Sequence, residues 1–226
     1  RLDDIYYITK QNKKYLILNA IFKDSTRNLI DDIIFKIKII GDLKAQWKEV
    51  SANIPFEIIP NKSYEIIAKK NGFINQKTLL STSYEDKPDT IYREFSMFKI
   101  NAKKEIILDN IYFNSNSSIL NPKSKAALNR LFQTLIINPS LIVEIGAHTD
   151  NLGDIESNQI LSEKRAKSVV KYLENLDIRN DRLSAVGYGS EFPISKNDTE
   201  KSRKLNRRIT FKIIGSNHKK GTDENK

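Results

Sequence analysis

The sequence predicts two domains of different class, an all-β sandwich followed by an α/β sandwich. The chain has 226 residues, about one and a half times the ~150 that make one ordinary domain. Its first hundred residues carry only short β-branched and aromatic runs separated by turn clusters, with no long helical period. Past Lys104, strand-like and helical patterns alternate, as an α/β layer requires. We place the β-sandwich at residues 1–102, the α/β sandwich at 103–215, and a tail at 216–226. That tail has no apolar residue and is expected to be disordered.

In the first part the strand runs are KYLILNAIF (14–22), DIIFKIKII (32–40), PFEIIP (55–60), SYEIIAKK (63–70) and TIYREFSMFKI (90–100). Asp24-Ser25-Thr26, Pro60-Asn61-Lys62-Ser63 and Asn71-Gly72 supply turns between them. Within 32–40, Ile33, Phe35, Ile37 and Ile39 alternate with Ile34, Lys36, Lys38 and Ile40, so the odd positions face the core. The 33 isoleucines of the chain favour the same structure.

In the second part EIILDNIYF (105–113) reads as a strand and NSNSS (114–118) as a turn. Asn121-Pro122 opens a helix, an oxygen-bearing cap followed by proline in the first turn. Leu128, Leu131, Phe132, Leu135 and Ile136 then keep helical spacing until Asn138-Pro139 ends it. LIVEIGA (141–147) is the next strand. The loop 148–157 leads to a helix from about Asn158 to Asn175, then a strand in RLSAVGYGS (182–190). A polar connection reaches the last strand, ITFKII (209–214).

Composition excludes several functions. Without cysteine there is no disulfide framework, thiolate metal site or thiol chemistry. The two histidines, His148 and His218, cannot build a multi-histidine metal centre, and we expect no cofactor, no metal and no catalytic residue. No apolar run approaches the ~18 residues of a membrane span. The chain opens RLDDIYY without an initiator Met, as a fragment or a processed chain does. The net charge of +10 divides into +6 for residues 1–104 and +4 for 105–226. No basic stripe interleaves with aromatics, so nucleic acid is not the expected partner.

Three ionisable residues of the second part break its periodicity. Arg165 lies one turn beyond Leu161, on a stripe shared with Val169 and Tyr172. Arg207 extends the face of Ile209, Phe211 and Ile213 in the last strand. Asp150 follows the strand 141–147 directly, at the carboxyl end where α/β sheets gather ligand groups. A carboxylate and a guanidinium at one pocket suit a zwitterion, the first taking an ammonium and the second a carboxylate. The alternative from periodicity is that Asp150 caps a turn, or that Arg165 simply pairs with it as a structural salt bridge.

The order AHTDNLG (147–153), Asn158, LSEKRA (161–166), GYGSEFP (187–193) and NRRI (206–209) resembles the OmpA-like domain. That module binds peptidoglycan and also occurs in Pal lipoproteins and MotB stators. The resemblance spans about residues 105–214. It implies non-covalent binding of a stem peptide through meso-diaminopimelate, with Asp150 receiving the ammonium and Arg165 gripping the carboxylate. Thr149, Leu152 and Asn158 match positions lining that pocket, and Arg207 matches an arginine at its rim. Asn114, also assigned to the site, stands where the family often has an acidic residue. Ser202 replaces a usual glycine before Arg203.

More loosely, PFEIIPNKSYEIIAKKNGF (55–73) resembles the carboxypeptidase regulatory-like, or transthyretin-like, β-sandwich. A sandwich of that kind before an OmpA-like domain resembles PorE-like components of the type IX secretion system. The resemblance implies a periplasmic, outer-membrane-associated wall anchor with other outer-membrane-associated proteins as partners. Two other functions were weighed. An enzyme acting on peptidoglycan would need a carboxylate pair across a cleft or a nucleophile with its base, and neither is visible. An interaction module with a degenerate wall site is the alternative that Asn114 and Ser202 support.

Overall fold

The computed structural model describes residues 15–83, 89–101, 104–114 and 116–216. Of the tail expected at 216–226, Ser216 instead ends the last strand and residues 217–226 lie outside the described residues, as does the boundary at 102/103. The chain separates into two compact units, residues 1–100 and 101–226.

The first unit is built from two main sheets. One has the order β4-β1-β8, with β1 (Leu16–Lys23) antiparallel to β4 (Phe56–Ile58) and parallel to β8 (Thr90–Ser96). The other is antiparallel throughout, in the order β3-β2-β5-β7, with β2 at Ile34–Ile39 and β5 at Ser63–Lys69. A small ladder joins β6 (Phe73–Ile74) to β9 (Phe98–Lys99). Alternation drives this arrangement. Leu16, Leu18, Ala20 and Phe22 of β1 and Phe35 and Ile37 of β2 meet in one buried core, each residue's neighbours pointing outward as the pleat demands. Besides the two-residue β6, two strands are absent from the sequence reading, β3 (Lys48–Ser51) and β7 (Gln76–Ser81), both sheet edges. Each buries one apolar side chain, Val50 or Leu80, so their sequences carry almost no hydrophobic signal.

In the second unit one sheet has the order β10-β13-β11-β12. Strand β11 (Leu141–Ala147) runs parallel to β12 (Leu183–Gly187) and antiparallel to β13 (Ile209–Ser216). Strand β10 is short, Glu105–Ile107, and only an isolated bridge from Phe113 to Leu120 continues the expected run. The first helix, α1, spans Lys125–Ile137 after a 3-10 turn at Pro122–Ser124. Asn121 caps that turn, accepting the Lys123 backbone N–H at 3.0 Å.

Helix α2 covers Ile155–Glu174 and is the crossover between the parallel strands β11 and β12. It begins earlier than its apolar pattern indicates, because Asp154 caps it by accepting the Ser157 N–H at 2.7 Å. Its buried residues are Asn158, Ser162, Ala166, Val169 and Leu173. Of the expected stripe, Val169 lies on the core line, whereas Leu161, Arg165 and Tyr172 form the shoulder of the helix. Small residues face the sheet because the helix lies almost on it. A Cβ on Gly187 would sit 2.4 Å from the Glu163 backbone nitrogen.

The polar connection before the last strand contains a third helix, α3, at Glu200–Asn206. Only Ser202 and Asn206 are buried in it, so no apolar period announces it. A capping box holds its start, with Thr199 and Ser202 each accepting the other's backbone N–H, at 3.1 Å and 3.0 Å. Ser202 thus has its own work as the third residue of a cap. Among the described residues no helix is long and apolar enough to cross a membrane.

Candidate functional site

The antiparallel register of β11 and β13 sets Ala147 opposite Ile209. The residues that leave β11, namely His148, Thr149 and Asp150, therefore lie beside those that enter β13, namely Arg207 and Arg208. The His148 N–H donates to the Arg208 carbonyl at 2.9 Å, and the Thr149 N–H to the Gly189 carbonyl at 2.8 Å. These bonds hold the loop at the carboxyl end of the sheet. The Asn158 amide donates to the Leu152 carbonyl at 2.9 Å and ties that loop to the first turns of α2.

A cleft of about 400 Å³ opens at this point. Asn114, Thr149, Asp150, Leu152, Asn158, Arg165 and Arg207 all line it, together with Phe113, Leu161, Asn116 and Glu200. Every site residue named from sequence thus reaches one cavity.

The pairing inside it differs from the structural salt bridge weighed above. Asp150 is bound by Arg207, not by Arg165. Arg207 Nη1 donates to Asp150 Oδ2 at 2.6 Å, across 57 residues of chain. Its Nη2 also pairs with Glu200. Asp150 is nearly enclosed, its side chain 9% exposed, and its second oxygen accepts the Leu152 N–H at 3.1 Å. A carboxylate has about four lone-pair positions, so both oxygens keep one acceptor position for a further donor.

Arg165 is half-buried on the opposite wall. Its Nε donates to the Ser117 carbonyl at 3.0 Å, and its guanidinium lies 5.1 Å from the centre of the Phe113 ring. Among the described residues no carboxylate is within salt-bridge distance of it. Burial and the charge of Arg207 pull its pKa below the ordinary arginine value, with Asp150 opposing. Arg207 is shifted the other way, chiefly by its bond to Glu200, and Glu200 is held below its usual range by Arg207 in return.

The cleft therefore presents an enclosed carboxylate with spare acceptor positions, a guanidinium without a carboxylate partner, and apolar surface from Phe113, Leu152 and Leu161. Sequence reasoning missed Glu200, which enters on the unannounced helix α3. The capping pattern of Thr199 to Ser202 was the only local signal of that helix.

Residues 112–207 match the OmpA family. Outer membrane porin F of Pseudomonas fluorescens is 34% identical over 103 residues, which is 46% of this chain and 32% of that protein. The peptidoglycan-associated lipoprotein of Buchnera aphidicola is 38% identical over 98 residues, 43% of this chain and 57% of that one. Among solved structures, the peptidoglycan-associated lipoprotein of Burkholderia pseudomallei is 30% identical. It aligns over 49% of this chain and 90% of its own, with a TM-score of 0.43. The chain covers less than two thirds of the length of either curated relative, and the similarity lies in its second half. The second unit, which contains the whole of the cleft, is the part of the chain that matches the OmpA family, over residues 112–207.

Proposed function

We propose that the cleft binds a zwitterionic peptide of the cell wall, a peptidoglycan stem peptide engaged through meso-diaminopimelate. The observation that supports this most is the pairing of Asp150, nearly enclosed with acceptor positions to spare, and Arg165, half-buried without a carboxylate partner, on opposite walls of one cleft. The ligand's ammonium would join Arg207 on Asp150, and its carboxylate would take the open donors of Arg165. Each charge-assisted hydrogen bond contributes about 1.5–3 kcal/mol, so a single site holds modestly and many sites along a wall hold firmly.

The reading is of a binder rather than a hydrolase. Both carboxylates of the cleft, Asp150 and Glu200, are bonded to Arg207. Glu200 is driven to lower pKa, whereas a glycosidase general acid needs a raised one.

On this proposal the protein works in the periplasm, anchoring an outer-membrane-associated complex to the wall. The relatives' names, an outer membrane porin and a peptidoglycan-associated lipoprotein, support that placement. The sandwich is the arm that holds other machinery, for which a type IX secretion system is our assignment. Exposed apolar side chains at Ile40, Leu43 and Trp47 in the first unit favour such a partner surface.

Calorimetric titration of a diaminopimelate-containing stem peptide tests the site. We expect heat with the wild-type chain and at least tenfold weaker binding for Asp150→Ala and for Arg165→Ala, both remaining folded. Undiminished sedimentation of either variant with isolated cell walls would remove the assignment and leave an interaction module.

A further inference from the structure

Behind Phe113, a second and smaller cavity of about 110 Å³ adjoins the cleft. Its walls are Ile111, Phe113, His148, Arg165, Arg207, Arg208 and Ile209. The proposed peptide contacts leave His148 and Arg208 unused, and their chemistry is unusual for an interior.

His148 is 2% exposed, and neither ring nitrogen has a hydrogen-bond partner among the described residues. Its ring stacks on Tyr188 at 4.9 Å between centres, so its orientation is fixed by packing rather than by a bond. Arg208 is 9% exposed, and among the described residues its guanidinium donates only to main-chain carbonyls, of Phe192 at 3.1 Å and of Asn206 at 3.5 Å. Glu105 acts on it at longer range, outside salt-bridge distance. Arg165 likewise lacks a carboxylate partner among the described residues, and Arg207 is already matched to Asp150 and Glu200.

Two guanidinium charges without close counter-charges, beside a buried imidazole with unsatisfied nitrogens, are costly to leave uncompensated. The lining contains no carboxylate. The cavity has room for a few waters or one small anion.

We propose that this chamber is an anion site for a carboxylate-sized monoanion, held by the guanidinium groups of Arg208 and Arg165, with His148 in its wall as a reporter of the bound charge. The group can arrive as a free anion or as the carboxylate of a ligand lying in the adjoining cleft. Burial, then the Arg208 charge, lowers His148 to a pKa of about 4, so its ring is neutral near pH 7. An anion against it would favour the protonated ring and raise that value.

Acetate is the probe. The full chain has one other histidine, His218, so the ring nitrogens of isotopically labelled His148 can be followed directly. Acetate is titrated at constant ionic strength made up with a bulky sulfonate buffer. We expect a saturable shift of the His148 resonances in the wild type and an affinity at least tenfold lower in Arg208→Gln. Ile111→Phe, which narrows the chamber without touching a charge, should block the shift as well, and serves if Arg208→Gln does not fold. Asp150→Ala should retain the acetate response, so loss of stem-peptide binding and loss of this site are separable. Competition between acetate and stem peptide would assign the anion to the cleft ligand, and simultaneous binding to a free ion, each with the site intact. A folded wild-type chain whose His148 ignores acetate, or an Arg208→Gln variant that responds as the wild type does, would overturn the proposal.

Discussion

The two units bury different kinds of atoms. In the first, Thr82 is the one buried side chain outside the apolar and aromatic classes among the described residues. The second encloses Asp150, His148, Arg182, Arg208, Asn138 and Asn206. A sandwich core of Phe22, Phe35 and aliphatic side chains is held by removal of hydrocarbon from water, which needs no direction. The α/β unit instead uses buried polar groups as fasteners between loops. Arg182 donates to the carbonyls of Leu135, Asn138 and Leu141 at 2.9, 2.8 and 3.0 Å, closing the end of α1 onto the start of β11. Asn206 collects the connection before α3, accepting from the N–H groups of Ile194 and Ser195 at 2.9 and 3.0 Å. Directional bonds fix loops to within the tolerance that a binding cleft requires, and hydrocarbon packing alone does not.

The contrast can be broken by mutation. The largest effect should come from the apolar unit, where Phe35→Ala removes a fully buried ring and costs about 3–5 kcal/mol, read by denaturant unfolding and by faster amide exchange in β1, β2 and β5. In the polar unit, Arg182→Met keeps the volume but removes the donors, at a cost of about 3 kcal/mol. A loss below about 1 kcal/mol there would mean that hydrocarbon holds both units alike.

A pH scan separates the units further, since residues 1–100 contain no histidine. His148 has a folded pKa of about 4 against an ordinary 6.5. As pH falls the unfolded chain takes up this proton first. The stability linked to His148 is therefore fully present above 6.5, declines between 6.5 and about 4, and levels off below. The slope should approach about 1.4 kcal/mol per pH unit and be flatter in His148→Phe.

Gly187→Ala should cost about 1–3 kcal/mol, because its Cβ would meet backbone of α2 rather than a side chain that can move. Thr199→Ala, which opens the capping box of α3, should cost about 1 kcal/mol. It should also weaken stem-peptide binding mildly, by loosening Glu200 and through it Arg207, in the calorimetry proposed above. A variant that changes stability alone would show that α3 does not position the cleft.

Much of both units was legible without coordinates where a residue's surroundings are set by its own neighbours in sequence. Odd-numbered burial along β2 follows from Ile33, Phe35 and Ile37 alternating with Ile34, Lys36 and Lys38, and α1 follows from Asn121-Pro122 and Asn138-Pro139, because pleat, helical pitch and caps are local geometry. Edge strands β3 and β7 escaped, since an edge facing water on most sides needs only Val50 or Leu80. At Leu161, Arg165 and Tyr172 the expected face of α2 is one position off, because its core line includes Asn158, Ser162 and Ala166, which read as polar or neutral until the helix backbone lies 2.4 Å from where a Cβ on Gly187 would be. The residues of the cleft were nameable from motif order, but their partners were not. Asp150 meets Arg207 rather than Arg165 because β13 runs antiparallel beside β11 and α3 delivers Glu200 to the same guanidinium. Charge type is a property of the residue and survives in one dimension. Which charges meet depends on strand register and helix placement, and those are settled only when distant segments pack.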